Sequence, residues 1–125
     1  YYSDLVRIRK ALELAEFGEE CPNFPENGCD IAMMAVKRIL GLEAVRGEYT
    51  PLRKPHNWNH DIDLGLFIDL DLDQFDGVDQ SIVILPDSTR LLVVDPEKTR
   101  HLPEGFHNYE RILRPFYEVY RNLRA

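Results

Sequence analysis

Three residues of this 125-residue chain, Cys29, His56 and Asp69, have the types and order that cysteine-dependent acyl chemistry requires. Cys29 follows Asn27-Gly28 and opens an apolar periodic run, which puts it where a helix begins. Unpaired backbone N–H groups and the helix dipole favour an anion there, and a thiolate is one. Gly28, having no side chain, would let a substrate approach the sulfur closely. His56 and Asp69 fall in adjacent alternating segments, so their strands can pair side by side. A carboxylate on the next strand then holds the imidazole in the tautomer that accepts the thiol proton. N–H groups at the helix start would steady the oxyanion, and water or an amine would release the acyl group. The bland reading of the same residues is a small buried thiol and a structural histidine.

Elements able to position these groups can be read along the chain. Ser3 as N-cap, Leu5, Ile8, Leu12 and Ala15 at helical spacing, and a stop at Gly18 predict a first amphipathic helix. Residues 19 to 28 form a loop around Pro22, Pro25, Asn27 and Gly28, and a second helix runs from about Cys29 to Leu40 with Gly41 as its cap. The period then changes to alternation, with strands expected around 43–49, 56–62, 66–72, 80–85 and 90–94. In the third, Leu66, Ile68, Leu70 and Leu72 face the core, and Phe67, Asp69, Asp71 and Asp73 face solvent or a site. Ile82-Val83-Ile84-Leu85, apolar on both faces, is expected to lie centrally and to join Leu91-Leu92-Val93-Val94 through the turn at Pro86-Asp87-Ser88-Thr89. Tyr109, Ile112, Leu113, Phe116, Tyr120 and Leu123 predict a last helix, kinked at Pro115. Tyr109, Tyr117 and Tyr120 are expected to pack in the core. Helices before and after a run of strands indicate one α+β domain over residues 1–125: an antiparallel sheet of about five strands against N-terminal helices and a C-terminal helix.

Composition narrows the function classes. A net charge of −7, drawn largely from aspartates between Asp61 and Asp87 and with no basic stripe, argues against nucleic acid and anionic membranes as partners. No apolar stretch approaches the twenty residues of a membrane span. Two cysteines, Cys21 and Cys29, are too few for a disulfide scaffold, which favours a reducing cytoplasm. The chain opens on Tyr1-Tyr2 rather than Met, as a piece of a longer protein would. Cys21, Cys29, His56 and His60 raise the alternative of a zinc site, but a regular strand would hold the two histidines about 13 Å apart at roughly 3.3 Å per residue. A calcium loop fails as well: counting from Asp69 the sixth residue is Gln74, and from Asp71 the twelfth is Ile82, where glycine and glutamate are required. Neither a metal nor another cofactor is expected.

Gly28-Cys29-x-x-Ala32, His56-x-Trp58-Asn59 and Ile68-Asp69-Leu70-x-x-Asp73-Gln74-Phe75 resemble small bacterial YunG-type proteins, within the wider transglutaminase-like and papain-like cysteine-enzyme group. The resemblance covers about residues 28 to 75. It implies a transglutaminase-like or papain-like fold with Cys29 as nucleophile, His56 as general base and Asp69 as orienting carboxylate. It further implies that Trp58 and Asn59 sit beside the site, and that Gln74 and Phe75 lock the following turn. Asp71 stands where the family tends to have Thr, and its negative charge near a thiolate would blunt nucleophilicity. The activity implied is hydrolysis or acyl transfer at an amide of a protein or peptide substrate, as in a peptidase, glutamine deamidase or transglutaminase. The alternative is a catalytically silent protein-binding module on the same fold.

Overall fold

The computed structural model describes residues 1–102 and 109–123. Among the described residues, five α-helices, α1 (Tyr2–Leu14), α2 (Cys29–Leu40), α3 (Pro96–Arg100), α4 (Tyr109–Ile112) and α5 (Arg114–Asn122), accompany five strands. The strands are β1 (Glu43–Tyr49), β2 (Lys54–Asp61), β3 (Leu66–Asp69), β4 (Val83–Pro86) and β5 (Leu92–Val94). They form one antiparallel sheet in the order β4-β3-β2-β1-β5. This is the expected α+β architecture with five strands.

The expected strand positions need correction. The Val83 strand is an edge, not the centre, and the Leu92 strand is the opposite edge, paired with β1 rather than with β4. The apolar residues on their outward sides, Ile84 and Val93, are exposed, so apolar character on both faces did not mean burial on both. A flat five-strand sheet separates its edges by about 19 Å. The link from Pro86 to Leu92 spends part of its length on a turn in which the Thr89 N–H donates to Pro86 O at 2.9 Å, so the sheet must curl to bring its edges together. Inside the curl lie Val45, Tyr49, Trp58, Phe67, Leu72, Val83 and Leu92. On the other side α1, α2 and α5 enclose a second core that includes Leu5, Ile8, Leu12, Met33, Met34, Ile68 and Phe116.

Both faces of β3 are therefore buried, Phe67 and Asp69 as well as Ile68, so of the two expectations for its second face, solvent or a site, solvent is excluded. The strand also stops at Asp69, and Leu72–Gln74 form a 3-10 turn. Arg9, buried on α1, fixes this departure from the sheet: its guanidinium donates to Leu70 O at 2.8 Å, to Ser81 O at 3.3 Å and to both carboxylate oxygens of Asp73 at 2.7 and 2.8 Å.

Helix ends differ in instructive ways. Tyr1, not Ser3, precedes the first turn of α1, and the helix ends at Leu14 before Gly18 is reached. Cys29–Leu40 is helical as expected, closed by Gly41 in the left-handed conformation at φ 71°. Pro115 does not kink a continuous helix; it lies in the first turn of α5, where its missing N–H costs nothing, and Leu113 separates α4 from α5. Tyr117 and Tyr120 pack on the helical core, Tyr120 beneath the Arg7 guanidinium at 3.9 Å. α3, a short helix beyond the expected elements, is capped by Asp95, whose carboxylate accepts from the Lys98 N–H at 3.0 Å.

Gly47 is the position where β1, β5 and Trp58 meet. A Cβ there would lie 2.0 Å from Val93 O and 2.8 Å from the Trp58 ring. Gly47→Ala is expected to destabilise the domain by about 2 kcal/mol through overpacking, read as a lower urea midpoint. An unchanged midpoint would mean that β5 does not hold its place against β1 in solution.

Candidate active site

The central strand β2 carries His56, Asn57, Trp58, Asn59, His60 and Asp61, and all but His60 are buried. Alternation divides them between the two cores. Asn57, Asn59 and Asp61 reach towards the helices: Asn59 Nδ2 donates to Met33 O at 3.0 Å, and Asp61 Oδ2 accepts from the Tyr1 hydroxyl at 2.6 Å. His56, Trp58 and His60 face the interior of the curl, with ring contacts to Phe75 and Phe67.

On that inner face, His56 Nε2 and Asp69 Oδ2 are 2.6 Å apart, with both residues 2 % exposed or less. A carboxylate can only accept, so neutral His56 carries its proton on Nε2 and leaves a lone pair on Nδ1. Gln74 Nε2 stands 3.3 Å from that nitrogen and also donates to Asp71 O at 3.3 Å and Asp71 Oδ2 at 3.0 Å. The Asp71 backbone N–H in turn donates to Asp69 Oδ1 at 2.8 Å. His56, Asp69, Asp71 and Gln74 thus form a closed ring of hydrogen bonds. Phe75 covers the imidazole edge-on at 5.1 Å and stacks on Tyr49 at 4.8 Å.

Cys29, the first residue of α2, approaches β2 from the helix side. Its Sγ lies 3.8 Å from Asp30 Oδ1 and accepts from Asn57 Nδ2 at 3.7 Å. Among the described residues no hydrogen bond joins Cys29 to His56: the thiol and the His56–Asp69 pair flank the same strand, each with its own partners. Asn57 Nδ2 also makes a short hydrogen bond to Asp30 Oδ1, Asn57 Oδ1 accepts from Arg46 Nη1 at 3.1 Å, and the Tyr109 hydroxyl donates to Asp30 Oδ2 at 3.1 Å.

The electrostatics of the thiol reverse the expectation from its helix-start position. Burial, followed by the Asp30 carboxylate, pushes Cys29 up from 9.0 to about 12. A helix dipole contributes about 0.3–1 kcal/mol, less than the 1.4 kcal/mol or so of one pKa unit, and does not offset that burial. Asp71 behaves differently from the charge anticipated at its position. Burial, then Asp69 and Asp73, raises its carboxyl to about 9, so at neutral pH it is a neutral acid whose Oδ1 has no hydrogen-bond partner.

The supporting residues also differ in role. Gly28 has an ordinary φ of −104°, and what excludes a side chain there is the Phe24 ring, 2.6 Å from where a Cβ would be. Asn59 ties the strand to the middle of α2, and Trp58 is a core residue stacked 6.0 Å from His56 with its indole N–H unpartnered. Gln74 Nε2 donates back to Asp71 O at 3.3 Å within its own turn. Asp30, Arg46 and Asn57 were not singled out from the sequence as site residues; Asn57, between His56 and Trp58, was hidden as the variable position of a motif. His60 pairs with Asp87 at 3.0 Å, and among the described residues no three His, Cys, Asp or Glu side chains are grouped as a metal ion would require. No helix among the described residues is long and apolar enough to cross a membrane.

Asp71 makes stability depend on pH. The fold retains a proton that the unfolded chain releases above 3.8, so stability falls as pH rises from there towards about 9. Asp71→Asn, isosteric with the neutral acid, should gain on the parent by up to about 1.4 kcal/mol per pH unit between pH 5 and 8, measured by urea unfolding. A pH-independent difference would refute the neutral acid. Comparison with family models, curated proteins and solved structures finds no match to this chain.

Proposed function

We propose that the domain is a cysteine-dependent amide hydrolase or acyl-transfer enzyme acting on a protein or peptide, with Cys29 as nucleophile, His56 as base and Asp69 as the carboxylate that orients it. The observation that carries this reading is the buried His56–Asp69 pair at 2.6 Å, whose bond leaves Nδ1 as the basic nitrogen. With a thiol near 12, the cysteine does not wait as a thiolate. The proton leaves as sulfur attacks the carbonyl, which is how a serine hydroxyl is activated by histidine. Nδ1 must first give up Gln74 and come within reach of Sγ, a rearrangement along the open side of β2 beyond the end of β3. Hydrolysis and deamidation follow when water takes the acyl group, transamidation when an amine does. A transglutaminase-like or papain-like fold accords with the α+β sheet and the cysteine at a helix start.

One observation favours a second reading, a protein-binding module without turnover: the hydrogen bonds of Cys29 run to Asp30 and Asn57 rather than to the base.

Assays of ammonia release from glutamine peptides and of cleavage of a peptide library separate the two. Wild type should turn over, Cys29→Ala should not, Cys21→Ala should change little, and Asp69→Asn should lose about 10³–10⁴-fold in kcat. Activity surviving in Cys29→Ala would end the proposal. Iodoacetamide alkylation followed across pH supplies a substrate-free check. Cys29 should alkylate slowly at pH 8, as a thiol titrating near 12 must. Slow alkylation that His56→Ala leaves unchanged, together with no turnover, would support the binding module.

A further inference from the structure

We infer that Asn57 is a further catalytic residue, the side-chain donor that stabilises the oxyanion formed on attack by Cys29; this rests on the nucleophile reading above. The Asn57 amide is held at both ends. Arg46 Nη1 donates to its Oδ1 at 3.1 Å, which fixes which end is nitrogen, and Asp30 Oδ1 takes one of the two Nδ2 hydrogens. The other hydrogen points at Cys29 Sγ, 3.7 Å away. A carbonyl carbon bonded to that sulfur carries its oxygen about 3 Å from it, within the 3 Å or so of Nδ2 at which an oxyanion donor works.

Preorganisation distinguishes this donor from a mobile amide. Asn57 is 1 % exposed, yet Arg46 and Asp30, the two residues that grip it, both line a cavity of about 480 Å³ whose other walls include Lys98, Leu102 and Tyr109. The Asn57 amide is linked to this cavity through Asp30 and Arg46, and binding an oxyanion requires of it only the exchange of a weak sulfur acceptor for a charged oxygen. The adjacent Arg46 guanidinium further polarises the amide towards donation. Nothing in the sequence marked the residue, because the strand alternation that aims His56 into the curl aims Asn57 the opposite way, at the thiol.

Two reactions at the same sulfur test the assignment. In acylation by p-nitrophenyl acetate the S–C bond forms through a tetrahedral oxyanion, p-nitrophenolate leaves, and the thiol proton passes to the base. In alkylation by iodoacetamide the S–CH2 bond forms as iodide leaves, and no oxyanion arises. Both reactions use the same sulfur and release its proton, and only acylation passes through an oxyanion, so their ratio reports on it. Asn57→Ala should lower the acylation rate of Cys29 about 10²–10³-fold relative to its alkylation rate. Asn57→Asp, which keeps the shape and lacks the N–H, should lower the ratio similarly and covers the case in which Asn57→Ala does not fold. An unchanged ratio, or equal losses in both reactions, would overturn the role of Asn57 while leaving Cys29 as nucleophile. A wild-type Cys29 that p-nitrophenyl acetate does not acylate would remove the nucleophile reading and the inference with it.

Discussion

Everything in this fold depends on how a polar central strand is made tolerable in a dry interior. β2 reads Lys-Pro-His-Asn-Trp-Asn-His-Asp, yet it lies between two cores with four of its polar side chains 8 % exposed or less. Each buried polar group left unpaired would cost about 1–3 kcal/mol, so each must find its own partner. Asp69 takes His56, Arg46 and Asp30 take Asn57, the Met33 carbonyl takes Asn59, and Tyr1 takes Asp61. Those partners come from Tyr1 at the start of α1 and from α2, β1 and β3, so satisfying one strand fixes the relative placement of most of the domain.

Much of this was legible. The period change after Gly41, the helix from Cys29 to Leu40 and the pairing of the segment carrying His56 with the one carrying Asp69 all follow from local pattern. Sheet order did not follow, because Val83-Ile84-Leu85 is equally apolar whether it lies at the centre or along a curled edge, and local sequence does not encode curvature. The Cys29 environment was legible as position and not as energy. A helix start is visible in sequence, whereas the burial that outweighs it is a property of the packed chain. Asp71 was visible as a charge, and its burial, with Asp69 and Asp73 beside it, makes it a neutral acid.

The two faces of β2 also separate two chemical roles within one stretch of backbone. His56 meets Asp69, Gln74 and Phe75 on one face, while Cys29 meets on the other a polar network whose Asp30, Arg46 and Tyr109 line a cavity.

Arg9 gives the first helix a structural reach beyond its own packing. One guanidinium, nine residues into the chain, anchors the carbonyl of Leu70, the carboxylate of Asp73 and the carbonyl of Ser81. The segment so anchored carries Asp71 and Gln74, two of the four members of the ring around His56. The opening helix is therefore a keystone of the site although it contributes no atom to it. A domain boundary drawn after Leu14 would keep every strand together with Cys29, His56 and Asp69, and would leave the segment that frames the imidazole without its anchor.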